Sequence, residues 1–436
     1  MINTLSNAGG SEDIRVTNRN RFIAALRALG SASQRQLGNE TDLSAATISS
    51  ITNELMADDV VVVAPAKKTA KGRGRPTLRL ALNGKRATVC TVFFQLQNVT
   101  ARVLDYTGQT LAEEMIALNG APVGSSTTEE NGLNRATIQD VLFGAIERVL
   151  EKIPPQQPPV DFIAVGFQGV ADVAGRTVLW SPITAEQELP ICAWIEKRFS
   201  VSCSVANDCD MIAMGLAQEH GDRYQENFGA VLLSYGVGMG LHLRGQIING
   251  TRSSGIEFGH MTYIPDGALC RCGNRGCVEA YAADYGIART AANLPPGLPL
   301  SALPSPKPLD DIAAAAQAGD ERAMEALRLA GAAVGTALAS LYALVDAFPV
   351  AIVGRSATVF DLMKPAIMAA LDTAPGVNPR GSQTVHHVED DVALVNAGCM
   401  LTVLQAQDDA FARRRLRTEA DHRTNKAEEP LPLAGE

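Results

Sequence analysis

Three cysteines and a histidine form the densest group of metal-binding side chains in the sequence. Cys270, Cys272 and Cys277 lie within eight residues, joined by short links of Gly, Arg and Asn, and His260 precedes them by ten positions. Three thiolates and one imidazole fill all four positions of a tetrahedral zinc ion and leave none open for a substrate. The spacing therefore predicts a structural Zn²⁺. The alternative is three ordinary buried thiols, which so polar a segment disfavours.

Two carboxylates flank this group. Glu257 lies three residues before His260, and Glu279 lies two residues after Cys277. A zinc ion that fixes the loop would hold both carboxylates near one another, where they could accept hydrogen bonds from the hydroxyls of a small polar ligand. The alternative interpretation is a pair of solvated loop charges.

Three further polar or small residues follow predicted strands. Gly169 comes just after the apolar run 162–167, and Asn207 and Asp208 follow the run 201–206. Ligands of α/β folds bind beyond the carboxyl ends of strands, so these residues are predicted to border a site. Asp208 has the chemistry of a general base for a hydroxyl, but Asp is as often the cap of the following helix, and the sequence leaves the two roles equal in weight.

The body that must position these residues alternates strand and helix patterns. Strands are predicted at 89–94, 100–105, 111–118, 162–167 and 201–206, and helices at 136–150 and 189–199. This alternation predicts an α/β body. The apolar segment 331–354 is long enough to suggest a membrane span, but Asp346 and Pro349 interrupt it. Its small residues favour a buried helix followed by a buried strand, so no membrane partner is predicted.

The first 82 residues predict a winged helix-turn-helix. Apolar residues at helical spacing indicate a first helix over 18–29, Ser33 with Gln36 forms a capping box for a second, and Ser44 caps a third. A recognition helix needs small side chains to approach base edges. The residues predicted to face DNA are Ser44, Ala45, Thr47, Ser49, Ser50 and Asn53.

Two apolar runs, 60–63 and 78–82, predict the strands of a wing. The link between them carries the basic residues Lys67, Lys68, Lys71, Arg73 and Arg75. The lysines are predicted to neutralise phosphates and the arginines to enter a minor groove. The alternative is a small helical dimerisation module with a solvated basic linker.

Charge separates the head from the body. Residues 1–86 contain 13 Lys and Arg against 7 Asp and Glu, whereas the remainder contains 25 against 40. A basic head on an acidic body predicts nucleic-acid contact confined to the head. The start of the chain lacks an export signal and the cysteines show no secreted framework, so a cytoplasmic location is expected.

The chain is expected to divide into a DNA-binding domain over 1–82, a ligand-binding body over 83–410 with its zinc loop at about 255–280, and a tail over 411–436. The tail is charged and lacks apolar periodicity, so it is predicted to be disordered.

Two motifs resemble the signatures of the ROK family of repressors and sugar kinases. The segment 257–260 matches E-x-G-H, and 270–279 matches C-x-C-G-x-x-G-C-x-E; the resemblance runs from about Asn18 to Gln405, and Gly74-Arg75-Pro76 is typical of the repressor branch. The resemblance implies an actin-like, hexokinase-like body of two lobes that closes on a sugar. By position, the sugar contacts would be Gly169, Asn207, Asp208, Glu257, His260 and Glu279.

The phosphate-binding positions depart from the kinase pattern. Phe93 and Gln95 stand where kinase members have an acidic residue and a glycine, Tyr235 replaces a hydroxyl residue, and Gly354-Arg355 replaces a glycine pair. A bulky apolar side chain cannot organise Mg²⁺ or phosphate. The sequence therefore predicts a regulator rather than an enzyme: a homodimeric repressor of double-stranded operator DNA with a sugar or sugar-phosphate effector. The alternatives are a sugar kinase with a DNA-binding head, which Asp208 favours, and an activator of the same architecture.

Overall fold

The structure, a computed structural model, describes residues 11–64, 78–118, 133–221, 223–253, 256–303, 308–372 and 385–427. Its head consists of α1 (Ser11–Leu29), α2 (Gln34–Thr41), α3 (Ala45–Ala57) and the strands β1 (Val61–Val63) and β2 (Leu80–Leu82). The two strands pair in antiparallel fashion. This is the predicted order of elements, except that the first helix begins at Ser11 rather than at Asn18.

Local hydrogen bonds explain where the helices of the head begin. The Ser33 hydroxyl accepts a hydrogen bond from the amide of Gln36, whose side chain accepts one from the Ser33 amide, so the predicted capping box is confirmed. Ser44 caps α3 by accepting from the amide of Thr47 at 3.1 Å. The basic wing residues Lys67, Lys68, Lys71, Arg73 and Arg75 lie outside the described residues.

The first lobe of the body is a five-stranded sheet with helices. Its elements are β3 (Thr88–Phe94), β4 (Asn98–Asp105), β5 (Thr110–Ala117), α4 (Arg135–Leu150), β6 (Val160–Phe167), β7 (Val170–Ala171), β8 (Val178–Trp180), α5 (Ile191–Phe199) and β9 (Ser202–Asn207). The sheet order is β5-β4-β3-β6-β9, and β7 pairs with β8 as a separate hairpin. The predicted α/β pattern is confirmed, whereas the two short strands of the hairpin were not predicted.

The second lobe repeats this sheet topology. Its strands are β10 (Phe228–Leu233), β11 (Val237–Leu243), β12 (Gln246–Ile247), β13 (Val350–Val353) and β14 (Val385–Val388), in the order β12-β11-β10-β13-β14. Its helices are α6 (Asp208–Glu219), α7 (Glu279–Ala282), α8 (Asp284–Ala291), α9 (Leu309–Gln317), α10 (Glu321–Val345) and α11 (Ala357–Asp372). In the order given for each sheet, the first three strands pair in antiparallel fashion. Each of the last two strands pairs in parallel with the strand before it.

The apolar segment that raised the possibility of a membrane span is part of the core. By length and composition α10 could cross a membrane, but Gly331 and Gly335 bring it against the backbone of α11 at Met363 and Ile367. α10 then leads to the fully buried strand β13, as predicted. We therefore assign α10 to the interior of the second lobe.

The last helix corrects the prediction for the tail. α12 runs from Asp391 to Ala427, and Phe411 and Ala412 are buried, so the expected disorder from residue 411 is wrong for the part that the structure describes. Charge and missing periodicity were the grounds for that prediction. However, Arg, Leu, Glu, Ala and Lys are good helix formers, and a helix already nucleated by packing upstream extends at little cost.

Two glycines allow α6 and α12 to touch at backbone distance. A Cβ on Gly398 would overlap the carbonyl of Met211, and a Cβ on Gly215 would overlap that of Leu394.

We expect Gly398→Ala to lower the free energy of unfolding by about 2–4 kcal/mol, because the two helices must separate. Thermal or denaturant unfolding measures this. The control is Gly144→Ala in α4, where the nearest atom to the new Cβ is 3.9 Å away; equal destabilisation by both substitutions would contradict the prediction.

Candidate ligand-binding cleft and metal centre

A cleft between the two lobes collects the predicted ligand residues. It lies at the carboxyl ends of β6 and β9 and faces the turn between β10 and β11. All six predicted ligand residues line it: Gly169, Asn207, Asp208, Glu257, His260 and Glu279. Its volume is about 710 Å³ including its open mouth.

Gly169 and Asn207 shape the first-lobe side of the cleft. Gly169 has a φ of 146°, and a Cβ there would overlap the carbonyl of Trp180. Asn207 is the N-cap of α6: its side-chain oxygen accepts from the amides of Cys209 and Asp210, and its amide nitrogen donates to the Gly169 carbonyl. Most of the Asn207 amide is therefore engaged within the protein, so this residue mainly positions the strand ends and its neighbour Asp208.

The structure distinguishes the two roles considered for Asp208. The helix cap is Asn207, which leaves Asp208 as a buried carboxylate, 6% exposed, that lines the cleft. Burial raises the pKa of Asp208 to about 7, partly offset by the hydrogen bond from the Cys209 amide. Burial, and secondly the charge of Asp208, raise the pKa of Asp210 to about 8. A buried carboxylate of raised pKa gains most from a ligand whose hydroxyls replace the lost water.

Glu279 and Glu257 lie on the second-lobe side. Glu279 begins α7, is 6% exposed, and accepts hydrogen bonds from the Val237 amide and the Tyr285 hydroxyl, each at 3.2 Å. Glu257 is more open and lies 3.6 Å from Nε2 of His260. The two predicted carboxylates thus reach the same cleft from two segments of the metal loop.

The four predicted zinc ligands come together. One donor atom from each of His260, Cys270, Cys272 and Cys277 lies within 4.8 Å of all the others. The Sγ atoms of Cys272 and Cys277 are 3.8 Å apart, and Sγ of Cys270 is 3.7 Å from Nδ1 of His260. Zn–S bonds of about 2.3 Å place two sulfurs of a tetrahedron about 3.8 Å apart, so the donor set fits a structural zinc ion.

His260 connects the metal group with the cleft. Its Nδ1 faces Cys270, whereas its Nε2 faces the carboxylate of Glu257. One imidazole can therefore bind a metal on one nitrogen and remain oriented towards a carboxylate on the other, the arrangement that fixes histidine ligands in many metal sites.

Two residues that the sequence did not identify support the metal loop. The Arg289 guanidinium, 2% exposed, donates to the carbonyls of Leu269 at 2.9 Å and Ala280 at 2.6 Å. The Tyr285 hydroxyl contacts Sγ of Cys270 at 3.5 Å and also bonds Glu279. Both lie on α8, which follows the motif; an arginine in a short helix gives no sequence signal that it is buried.

Further side chains of the cleft were also missed. Gln168, Trp180 and Pro182 line it from the first lobe, and Arg271 lines it from the metal loop. Arg271 donates to the Tyr235 carbonyl at 2.7 Å. Gln168 precedes the predicted Gly169, which is a usable signal, but Trp180 is brought in by the short hairpin of β7 and β8 that the sequence pattern did not reveal.

The positions that the sequence predicts to depart from the kinase pattern make contacts within the protein. Phe93 is 4% exposed in an apolar cluster with Ile212 and Val395. The side chain of Gln97 donates to the Tyr235 hydroxyl across the two lobes.

Arg355 is likewise engaged within the protein. It is 5% exposed, forms an ion pair with Asp284 and donates to the carbonyls of Ser234 and Ala282.

The candidate DNA face of α3 is accessible in part. Ala45, Ser50 and Asn53 are exposed, and Thr47 and Ser49 are half-buried. The Ser44 hydroxyl is within 2.8 Å of that of Thr47, so these two side chains are partly committed to the start of the helix.

Comparisons with known proteins agree with this architecture. A family model described as the ROK family matches residues 93–393. The chain is 25% identical over 255 residues to a putative xylose repressor of Caldicellulosiruptor sp. (strain Rt8B.4), an alignment of 58% of this chain and 61% of that protein. It is 24% identical over 351 residues to the DNA-binding transcriptional dual regulator NagC of Escherichia coli (strain K12), covering 79% of this chain and 82% of NagC.

Kinase relatives and a solved regulator also match. An N-acetylmannosamine kinase of Yersinia pseudotuberculosis serotype O:1b is 30% identical over 291 residues, covering 66% of this chain and 93% of the kinase. The crystal structure of a ROK family transcriptional regulator, described as a homolog of the E. coli MLC protein, superposes with a TM-score of 0.71 at 23% identity, covering 92% of this chain and 98% of the other.

Proposed function

This chain belongs to the ROK family, and from that premise we propose that it is a sugar-responsive, DNA-binding transcriptional regulator that acts as a repressor. The body binds a sugar or sugar derivative in the cleft, and the head binds double-stranded operator DNA as part of a homodimer, since paired recognition helices need matched half-sites. The relatives named as a xylose repressor and as NagC support this proposal. The same function places the protein in the cytoplasm, where thiolate ligands stay reduced.

One structural observation carries the proposal: two packed helices, α6 and α12, connect the cleft to the head. α6 begins at the cleft with Asp208, and α12 packs along α6 through the glycine contacts at Gly215 and Gly398. Thr402, one turn further along α12, lies 3.6 Å from the sulfur of Met211 in α6. A shift of α6 that accompanies ligand binding would therefore be passed to α12.

The next turns of α12 hold the head. Asp408, 4% exposed, accepts two hydrogen bonds from the Arg27 guanidinium of α1, at 3.1 and 3.2 Å, and one from the Tyr106 hydroxyl of the body. Asn20 of α1 donates to Asp409 at 2.9 Å. Val403 and Leu404 lie in one apolar cluster with the core of the head. The head is thus attached to the same helix that touches α6.

The metal centre has a supporting role in this proposal. A zinc ion held by His260, Cys270, Cys272 and Cys277 would cross-link the loop without taking part in chemistry. Glu257 and Glu279 would then be held at the spacing that a ligand's hydroxyls require, which lowers the ordering cost of binding.

The direct test is promoter binding with and without sugars. Sugars and sugar phosphates that raise the melting temperature are selected first, and each is then added to a promoter-fragment binding assay. We expect a bound sugar to change operator affinity by about 1–3 kcal/mol, or roughly 5- to 150-fold. The proposal is refuted if the protein prefers no promoter fragment over unrelated DNA, or if every sugar that binds leaves the affinity for DNA unchanged.

A substitution at the joint between α12 and the head tests the connection. In Asp408→Asn the shape is kept but the charge that pairs with Arg27 is lost, so we expect sugar affinity to stay within about twofold while the sugar-induced change in operator affinity falls by about 0.5–2 kcal/mol. Glu325→Gln, which breaks the exposed pair with Arg328, is the control. An unchanged response in Asp408→Asn would show that the signal travels elsewhere.

A sugar kinase that also binds DNA is the competing function. The N-acetylmannosamine kinase relative and the cleft position of Asp208 favour it, whereas the burial of Phe93 and the internal partners of Arg355 oppose it. An ATP-coupled assay with a sugar panel separates the two, because phosphorylation that Asp208→Asn abolishes would establish the kinase. An activator of the same architecture is distinguished by a promoter reporter.

A further inference from the structure

The cleft has an apolar wall on its first-lobe side. Val170 and Trp180 are cross-strand partners in the hairpin of β7 and β8, and Pro182 follows two residues after Trp180. All three line the cleft and are only partly buried. Partly exposed apolar side chains at the mouth of a concave site gain free energy when ligand covers them.

The side-chain amide of Gln168 adjoins this wall. The side-chain oxygen of Gln168 accepts a hydrogen bond from the amide of Leu96 at 3.1 Å. A backbone N–H can only donate, which fixes the orientation of the Gln168 amide and leaves its NH₂ group as the free end. That NH₂ group has no hydrogen-bond partner among the residues that the structure describes, although Gln168 lines the cleft.

The two sides of the cleft are chemically different. The apolar wall and the free amide come from the first lobe, whereas Glu257, His260 and Glu279 come from the metal loop of the second lobe, and Asp208 lies at the start of α6. Carboxylates match hydroxyl donors, and an NH₂ group beside apolar side chains matches a carbonyl that bears an alkyl group. One ligand that satisfies both sides carries hydroxyls and an acyl group.

We propose that the effector is an N-acylated amino sugar, whose acyl carbonyl accepts from Gln168 and whose methyl group lies against Val170, Trp180 and Pro182. This inference rests on the proposed function, because it assumes that the cleft is the effector site. It assigns Trp180 and Gln168 as specificity-determining residues. An unsubstituted sugar would leave the NH₂ group of Gln168 unpaired and the apolar wall uncovered. Sites that hydrogen-bond a polar group of their ligand reject analogues without that group for this reason.

The test is titration calorimetry of the full-length protein with matched pairs: glucose against N-acetylglucosamine, mannose against N-acetylmannosamine, and galactose against N-acetylgalactosamine. Fluorescence gives a second readout, because the chain has only two tryptophans. Trp194 packs against Arg135 and is not among the residues that line the cleft, so Trp194→Phe should bind normally and leaves Trp180 as the sole tryptophan emitter.

We expect at least one acylated sugar to bind more than about tenfold tighter than its unacylated partner, the lower end of the range for one small apolar group. In Trp180→Ala and in Gln168→Ala this preference should fall towards one, and in Trp194→Phe only the acylated sugar should shift the emission. Equal affinities within every pair, or a preference that survives both alanine substitutions, would overturn the inference and leave the proposed function intact. If no member of any pair binds at millimolar concentration, the assignment of the cleft as a sugar site fails, and the inference fails with it.

Discussion

Cys272→Ser is expected to lose stoichiometric zinc and, with it, most of the affinity for sugar. Cys272 is the exposed member of the metal group, so its replacement removes a proposed thiolate ligand without opening a cavity in the core. Structural zinc sites contribute about 10–16 kcal/mol of apparent binding free energy at neutral pH, and loss of one of four ligands should weaken zinc binding by more than about 100-fold, since even outer-shell substitutions cost about 10- to 100-fold. Elemental analysis measures the zinc, and calorimetry measures the sugar affinity.

The control for this experiment is a cysteine outside the metal group. Cys203 lies on β9 in the first lobe and is buried, so Cys203→Ser tests the loss of a thiol without loss of a metal ligand. It should keep one zinc ion per chain. If Cys272→Ser also keeps one zinc ion per chain and responds normally to sugar, the assignment of this group as the metal site is incorrect.

Asp208→Asn is expected to weaken sugar binding by about 10- to 150-fold, since hydrogen bonds to a charged group contribute about 1.5–3 kcal/mol. The ionised carboxylate is the better acceptor, and its pKa is raised to about 7 by burial. Wild-type affinity for sugar should therefore rise as pH increases from 6 to 8, and Asp208→Asn should lose most of this dependence. Calorimetry at three pH values tests both points. A variant that binds as tightly as wild type would remove Asp208 from the binding site.

The same pKa shift makes the stability of the ligand-free protein depend on pH. Asp208 binds a proton more tightly in the folded chain than in the unfolded chain, where its pKa is near 3.8. Between about pH 4 and 7 the folded state thus holds the extra proton, and stability falls as pH rises, by about 4 kcal/mol in total for this residue. Without ligand, Asp208→Asn should be more stable than wild type at pH 8 and nearly equal at pH 4, as measured by chemical unfolding.

Features encoded by neighbouring residues could be predicted from the sequence. The grouping of His260 with the three cysteines, the capping box at Ser33 and the cap at Ser44 all depend on spacings of a few residues, so local chemistry determines them. That Asp208 and Glu279 would share one cleft did not follow from spacing, because they come from two sides of an interlobe site, and only the family resemblance suggested it.

The errors arose where tertiary contacts decide the outcome. Trp180 reaches the cleft through strands of two and three residues, too short for a periodic pattern. Arg289 is nearly inaccessible to solvent, although an arginine in a short helix gives no sequence signal that it is buried. The charge of the tail from residue 411 predicts disorder, but its helix propensity and the packing of the preceding turns extend α12 to Ala427.

The length of α12 has a geometric consequence. Leu394, which touches α6, and Asp408, which holds the head, are separated by 14 positions of one continuous helix. At 1.5 Å per residue this distance is about 21 Å. A tilt of α12 by about 5° about its contact with α6 would therefore displace Asp408, where the head is attached, by about 2 Å. Helix displacements of this size switch other allosteric proteins. In the proposed dimer, a small closure of the cleft around a sugar would therefore change the position of the two heads relative to each other and so their fit to DNA.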